Sequence, residues 1–363
     1  MGFNCGIVGL PNVGKSTLFN ALTETAAAQA MNYPFCTIEP NVGRVSVPDP
    51  RLFKLAAIAS SAKIIPTQIE IVDIAGLVKG ASQGEGLGNQ FLGHIRSTDA
   101  ILHIVRCFEN GDITHVHGSV DPIRDIEVVE TELMLADLES LKKREGNISK
   151  KNNPELANEK NFLAKSIEWL ESGKLMNQLQ LTPEEEVFAA NMHLITKKPI
   201  LYVCNVNEDE IVSGNALTQK VDELAKSRHA QTVIISAEIE SEIAVIQDKN
   251  EKNEYIQSLG LTESGLARVI RGGYHLLDLI TFFTAGPTEA HAWTTARGSK
   301  APTAAGVIHT DFERGFICAE TISYDDYVAC NGEAGAKNAG KMRLEGKDYV
   351  VNDGDIFHFR FNV

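Results

Sequence analysis

One stretch near the start of the chain constrains it more than any other. Gly9-Leu10-Pro11-Asn12-Val13-Gly14-Lys15-Ser16 matches the pattern G-x-x-x-x-G-K-[ST]. It lies between an apolar run at 3–9 that reads as a strand and a run at 16–25 that reads as a helix. Glycines at these positions let the backbone curl so that successive N–H groups face phosphate oxygens. The helix start adds its partial positive charge. Lys15 brings a point charge to the β and γ phosphates, and the Ser16 hydroxyl is suited to Mg²⁺. A nucleoside triphosphate held with Mg²⁺ by Asn12, Val13, Gly14, Lys15, Ser16 and Thr17 is the expectation.

The flanking residues extend it. Gln68–Asp73 and the run 100–107 alternate with helix-like segments, which predicts an α/β domain with a doubly wound parallel sheet. Such sheets bind ligands at the carboxyl ends of their strands. Asp73-Ile74-Ala75-Gly76 stands at a strand end, so Asp73 is expected in the magnesium shell and the Gly76 N–H near the γ-phosphate. Thr37, between helix and strand, is a second hydroxyl for Mg²⁺ when a γ-phosphate is present. The segment around Thr37 and the glycines 84, 86 and 88 read as order–disorder switches.

Composition limits the rest. The chain has 363 residues with 34 Lys and Arg against 48 Asp and Glu, a net charge of −14. That balance excludes coating of nucleic acid through bulk charge, and no sequence-specific DNA contact is expected. No apolar run approaches the length of a membrane span, and residues 1–6 carry no positive stretch of a leader peptide. The six cysteines show no C-x-x-C spacing and read as reduced thiols, so a cytoplasmic location is expected.

Residues 123–197 break the α/β rhythm. Met134, Leu138 and Leu141, then Leu156, Leu163, Ile167 and Leu170, repeat at helical spacing around a polar break at 147–154. They predict an inserted helical hairpin of coiled-coil type. Thr182-Pro183-Glu184-Glu185 reads as the capped start of a third helix. Strands resume at 199–204 and 232–235. From 278 to 363 short strands, turns and glycines predict a second, small α+β domain, following the nucleotide-binding unit at 1–277.

The strings at 9–17, 32–41, 73–78 and 80–88, with Asn205-Val206-Asn207-Glu208, resemble those of the YchF/Obg-like ATPase family, a branch of the translation-factor-type P-loop GTPases. Phe282-Phe283-Thr284-Ala285-Gly286, the stretch 301–308 and Glu345-Gly346-Lys347-Asp348-Tyr349 are similar to a TGS domain, a ubiquitin-like β-grasp. The resemblance implies a slow nucleoside triphosphatase that prefers ATP and acts as a nucleotide switch on the ribosome, at the large subunit or its RNA. The alternative is a GTP-regulated module that binds RNA or protein with little turnover.

Two departures from related GTPases bear on mechanism. Their Asn-Lys-x-Asp, whose carboxylate reads guanine, is here Asn205-Val206-Asn207-Glu208. A purine edge without its partner discriminates strongly, and backbone groups near Val206 are expected to read adenine, with Ser236 closing the pocket. The water-orienting Gln that follows D-x-x-G in many of them is here Leu77. Of His103, His115 and His117, the resemblance favours His115 as its replacement, with Lys15 as the other catalytic residue. Asn12 reads either as a K⁺-holding group or as an ordinary loop residue, and Arg96 and Arg106 as packing residues rather than internal fingers. Lys337, Lys341, Arg343 and Lys347 form a basic cluster in an otherwise acidic carboxyl-terminal domain. It is a candidate contact for RNA phosphates.

Overall fold

The apolar runs of the first 240 residues assemble into one sheet. In the computed structural model, which describes residues 3–30, 42–74, 87–111, 113–116, 118–150 and 156–362, six strands contribute. They are β1 (Asn4–Val8), β2 (Val42–Ser46), β4 (Gln68–Asp73), β5 (Ala100–Arg106), β6 (Ile200–Asn205) and β7 (Gln231–Ile235), in the order β2-β4-β1-β5-β6-β7. β2 is antiparallel to β4, and every other neighbouring pair is parallel. β5 and β6 are buried along their whole length, as expected of a parallel sheet covered on both faces. From β1 the chain winds outward in both directions, so the carboxyl end of β1 is the topological switch point. The phosphate loop sits there, followed by α1 (Lys15–Ala30).

The loop after β5 leads into α4 (Pro122–Ser149), whose 28 residues span about 42 Å at 1.5 Å per residue. Asp121 caps it, accepting from the N–H groups of Ile123 and Arg124, and Pro122 occupies the first turn, where its missing N–H costs nothing. Ile126, Val129, Leu133 and Ala136 of α4 enter the main core. Leu141 and Ile148 enter a separate one, with Phe162, Leu163 and Leu170 of α5 (Ala157–Glu171) and Ala189 of α6 (Pro183–Met192). The expected hairpin is therefore completed by a third helix, and Thr182 and Glu185 form its reciprocal capping box. Buried Asp137 ties this arm to the main sheet by accepting from the N–H groups of Ile195 (2.9 Å) and Thr196 (2.8 Å). Helices α3 (Leu87–Ser97), α7 (Ala216–Ser227), α8 (Ala237–Val245), α9 (Lys249–Ser258) and α10 (Gly265–Leu276) complete this part of the molecule.

The second sheet has the order β11-β10-β12-β8-β9-β3. Five strands come from the carboxyl-terminal region: β8 (Leu279–Ala285), β9 (Glu289–Ala296), β10 (Phe316–Ile322), β11 (Arg343–Glu345) and β12 (Ile356–Phe361). The sixth, β3 (Lys63–Ile65), lies in the chain between β2 and β4 and pairs in parallel with β9. Successive strand residues face opposite sides. Ile280, Phe282, Phe357 and Phe359 pack under α11 (Ala301–Ile308), beside which lies α12 (Thr310–Arg314). Phe283, Ala292 and Ile356 pack with Leu52, Leu55 and Ala56 of α2 (Pro50–Ala59), beside α13 (Tyr324–Ala329) and α14 (Glu333–Asn338). The segment Pro50–Ile65 thus belongs in space to the second core. Arg51 fastens it there, donating to Asp49 and to Asp353 (2.7 Å) with its guanidinium 5.3 Å from the Phe283 ring centroid.

Candidate nucleotide site

Backbone geometry fits the phosphate loop to its role. Gly14 has φ +98°, and a Cβ there would lie 2.5 Å from Asn205 Nδ2, so only glycine fits. Asn12 also takes a left-handed conformation, φ +61°. Its side-chain amide donates to the Thr114 carbonyl at 3.2 Å, which joins the phosphate loop to the loop after β5. Val13 is buried, while Ser16 and Thr17 are exposed at the start of α1.

Lys15 is buried, and its ammonium donates to the Leu10 carbonyl at 2.6 Å. Burial pushes it down to about 8, with the Asp73 carboxylate pulling the other way. Asp73, at the end of β4, has its carboxyl raised by burial and opposed by Lys15. A hydroxyl and a carboxylate are the hard oxygen donors Mg²⁺ takes alongside phosphate oxygens, so Ser16 and Asp73 fit that ion. Among the described residues, no group of three His, Cys, Asp or Glu side chains could hold a metal. Thr37 and Gly76, like Leu77, Gly84 and Gly86, lie outside the described residues.

Asn205 ties the phosphate loop to its neighbours. Buried at the end of β6, it donates to the Val13 carbonyl (3.0 Å) and accepts from the Ala237 N–H (2.9 Å). It therefore locks the phosphate loop to the turn that opens α8. Val206 is buried and its N–H donates to the Ile235 carbonyl at 2.8 Å. Ser236 is buried at the cap of α8, without a side-chain capping bond, and Glu208 is exposed.

The loop after β5 is pinned from below. Buried Arg106 donates to the carbonyls of Phe108 (3.2 Å), Asn110 (3.1 Å) and Ile113 (3.0 Å). Arg96 binds Ser140 Oγ (2.6 Å) and the Ala136 carbonyl on α4. Both guanidiniums hold structure together. His103 is buried in β5, and burial, with the charges of Arg228 and Lys15, pushes it down to about 3. His115 is buried too, with Nε2 2.8 Å from Asp125 Oδ2 on the first turn of α4. His117 lies outside the described residues. Sequence reasoning missed the Asp125 contact. Asp121-Pro122, a cap followed by an N1 proline, was the signal for where α4 begins and hence for an acid in its first turn.

A phosphate loop at the switch point of a parallel sheet, its lysine buried beside a strand-end aspartate, defines a P-loop nucleoside triphosphatase. Residues 4–164 match the family model described as 50S ribosome-binding GTPase. Residues 279–362 match the carboxyl-terminal family of YchF-type GTPases, described as a protein of unknown function (DUF933). The Ribosome-binding ATPase YchF of Bacillus subtilis (strain 168) is 54% identical over 368 residues, covering 100% of both chains. That of Haemophilus influenzae is 55% identical over 366 residues, again covering 100% of both. The solved Schizosaccharomyces pombe YchF GTPase is 36% identical, with a TM-score of 0.89 over 99% of this chain and 98% of that one. The chain belongs to the YchF family.

Proposed function

We propose that this chain is a ribosome-associated ATPase, binding ATP in preference to GTP and hydrolysing it slowly to ADP and phosphate as a nucleotide-dependent switch. The observation that carries the base preference is the commitment of two main-chain donors. The N–H groups of Val206 and Ala237 already donate, to Ile235 and Asn205. Guanine O6 needs a donor, whereas the adenine amino group needs an acceptor, and the backbone at Val206 retains only its carbonyl for that purpose. With Glu208 exposed, no aspartate stands in the place that reads guanine in related GTPases. ATP is expected to bind at least tenfold tighter than GTP, about 1.4 kcal/mol or more. Calorimetric titration of both nucleotides tests this, and equal or better GTP affinity removes the reading in favour of a guanine-regulated module.

In this reading Lys15 binds the β and γ phosphates, with Ser16, Asp73 and Thr37 toward Mg²⁺, which when bound neutralises phosphate charge. His115 orients the attacking water. Removing it should leave ATP affinity near normal and lower turnover, since such a group acts mainly in the transition state. Asn12 is the candidate for K⁺, tested by exchanging K⁺ for Na⁺.

The full-length likeness to ribosome-binding relatives supports the ribosome, at its large subunit or RNA, as partner. In the carboxyl-terminal cluster Lys341 pairs with Asp326 (3.2 Å) and Arg343 with Glu345 (3.4 Å), while Lys337 and Lys347 are exposed. An RNA contact by this domain would rest first on those two lysines. It predicts association that weakens with salt, less steeply once they are changed to Ala.

A further inference from the structure

We propose that the free side of strand β12 is a docking site for an extended peptide that carries apolar and basic side chains and adds to the second sheet as a further strand.

The sheet opens where β12 outruns its neighbour. β12 pairs with β10 along its whole length, but with β8 it has a single register pair, Ile356 with Phe283. Beyond that pair, among the described residues, no strand lies on the β8 side of Phe357–Phe361. The main-chain groups of successive strand residues point to opposite neighbours. The Asp355 carbonyl accepts from the Phe283 N–H at 2.8 Å and so faces β8, whereas the Asn362 N–H donates toward β10, to Gly315 at 2.9 Å. By that alternation the N–H and C=O groups of Phe359 and Phe361 face the β8 side, where no strand meets them.

β8 does not follow β12 because its hairpin is held from the far side. After Ala285 the chain turns into β9. Ser61 Oγ donates to the Gly286 carbonyl in that turn (2.7 Å), and the N–H groups of Ala62 and Lys63 donate to the carbonyls of Pro287 (2.9 Å) and Thr288 (3.2 Å). Residues 61–63 lead into β3, which lies beyond β9 in the sheet. The hairpin tip is thereby drawn away from β12, and a cavity of about 440 Å³ lies between them.

The lining selects the occupant. Trp293, Phe312, Phe359 and Phe361 supply apolar surface, and Glu289, Glu320 and Glu333 supply carboxylates, whereas among the described residues no Lys or Arg lines the cavity. Glu320 already binds Arg360, which leaves Glu289 and the exposed Glu333 to meet a cation. Carboxylates repel the phosphates of RNA and attract Lys or Arg. A polypeptide strand brings the N–H and C=O groups that the bare edge needs, while its alternate side chains reach the aromatic pocket. β12 carries no proline and no lysine, residues that keep exposed edges from pairing. Phe357–Phe361 span about 17 Å at about 3.4 Å per residue, which suits a partner segment of similar length.

The test uses the full chain and a fluorescent, capped hexapeptide in which valine alternates with lysine, threonine and arginine. It should bind saturably by anisotropy and slow hydrogen exchange at 357–361 at least threefold. Methylating all its main-chain nitrogens removes the donors and leaves the side chains, and should weaken binding about tenfold or more. Replacing its lysine and arginine by glutamate should do the same. Glu333→Lys in the protein should weaken binding of the parent peptide at least threefold and leave ATP affinity unchanged. Absence of saturable binding overturns the proposal, as does equal affinity of the methylated peptide or protection that falls outside 357–361. Unchanged affinity in Glu333→Lys, or equal affinity of the glutamate peptide, overturns the basic character of the partner. A single-stranded RNA oligonucleotide that protects 357–361 where the peptide does not would assign the gap to RNA and overturn the peptide reading.

Discussion

The two six-stranded sheets solve different problems. The first is wound from strands joined by helical crossovers and places buried charge where a ligand is to come. Lys15 and Asp73 are each shifted by burial against their charged forms. The second is largely antiparallel, held by aromatic packing such as Phe282 against Phe357 (ring centroids 5.6 Å apart), and closed at one edge by β3. Borrowing that strand and helix α2 from between β2 and β4 makes the second core depend on the first part of the chain. A site tolerates strain because its ligand relieves it, whereas a scaffold has to be satisfied by itself.

The largest expected effect breaks the borrowing outright. Residues 279–362 expressed alone would lack Leu52, Leu55 and Ala56 against Phe283, Ala292 and Ile356. They should show no cooperative thermal transition by circular dichroism, and fusing residues 49–65 through a flexible linker should restore one. Cooperative melting of the bare fragment near the temperature of the whole chain would show that the borrowed segment is dispensable.

Next comes Leu55→Ala, at a position with 0% exposure in the second core. It should cost about 2–5 kcal/mol in denaturant unfolding of that core, with ATP affinity unchanged. A fall in ATP affinity would mean that the two sheets are more tightly coupled than their separate cores suggest.

Lys15→Met sharpens the contrast from the other side. Without nucleotide it should stabilise the protein at pH 7, on the order of 1–2 kcal/mol after loss of the bond to Leu10, while abolishing tight ATP binding. The folded Lys15 is pushed down to about 8, below the ordinary lysine value near 10.4. Its burden is therefore full below pH 8 and disappears as pH rises past about 10.4. The gap between parent and variant melting temperatures should close over that window. A variant less stable than the parent at pH 7 would count against the burden.

Smallest is Arg51→Ala, about 1 kcal/mol for a partly exposed charge-assisted pair. Burial by itself would raise the Asp353 carboxyl. The bonds from Arg51 and the Thr281 N–H, with the Arg51 charge, bring it below its ordinary value. That contribution is present above the ordinary carboxylate value near 4 and is lost as pH falls further. The stability gap should narrow on acidification, and a gap that widens would assign it to another group.

Much of the first sheet was legible because its signals are local. The runs at β1, β4, β5, β6 and β7 are apolar and short, the glycines of the phosphate loop sit where the backbone needs them, and Thr182 and Glu185 cap their helix by sequence spacing alone. The division of the chain at residue 278 follows covalent order. Pro50–Ile65 follows a different one, and nothing in its pattern says so. Asp49-Pro50 marks a helix start, but either core could take its apolar face, and β3 is one exposed and two half-buried residues without periodicity. Asn205 was legible as the residue that ends a strand, and its grip on Val13 and Ala237 was not.

What the sequence alone determined was which groups stand at short spacing: a phosphate loop with its lysine and serine, a strand-end aspartate, Asn205-Val206-Asn207-Glu208 at the end of another strand and a histidine in a loop leaving a third. Those follow from residue identity at short spacing, where backbone geometry leaves few alternatives. Tertiary structure decided the partners: Asp125 for His115, Asn205 for Val13 and Ala237, and the second sheet for α2 and β3. Such contacts join segments far apart in the chain. Many partners are chemically adequate for each group, and only the folded core selects among them by burying one arrangement with its polar groups satisfied.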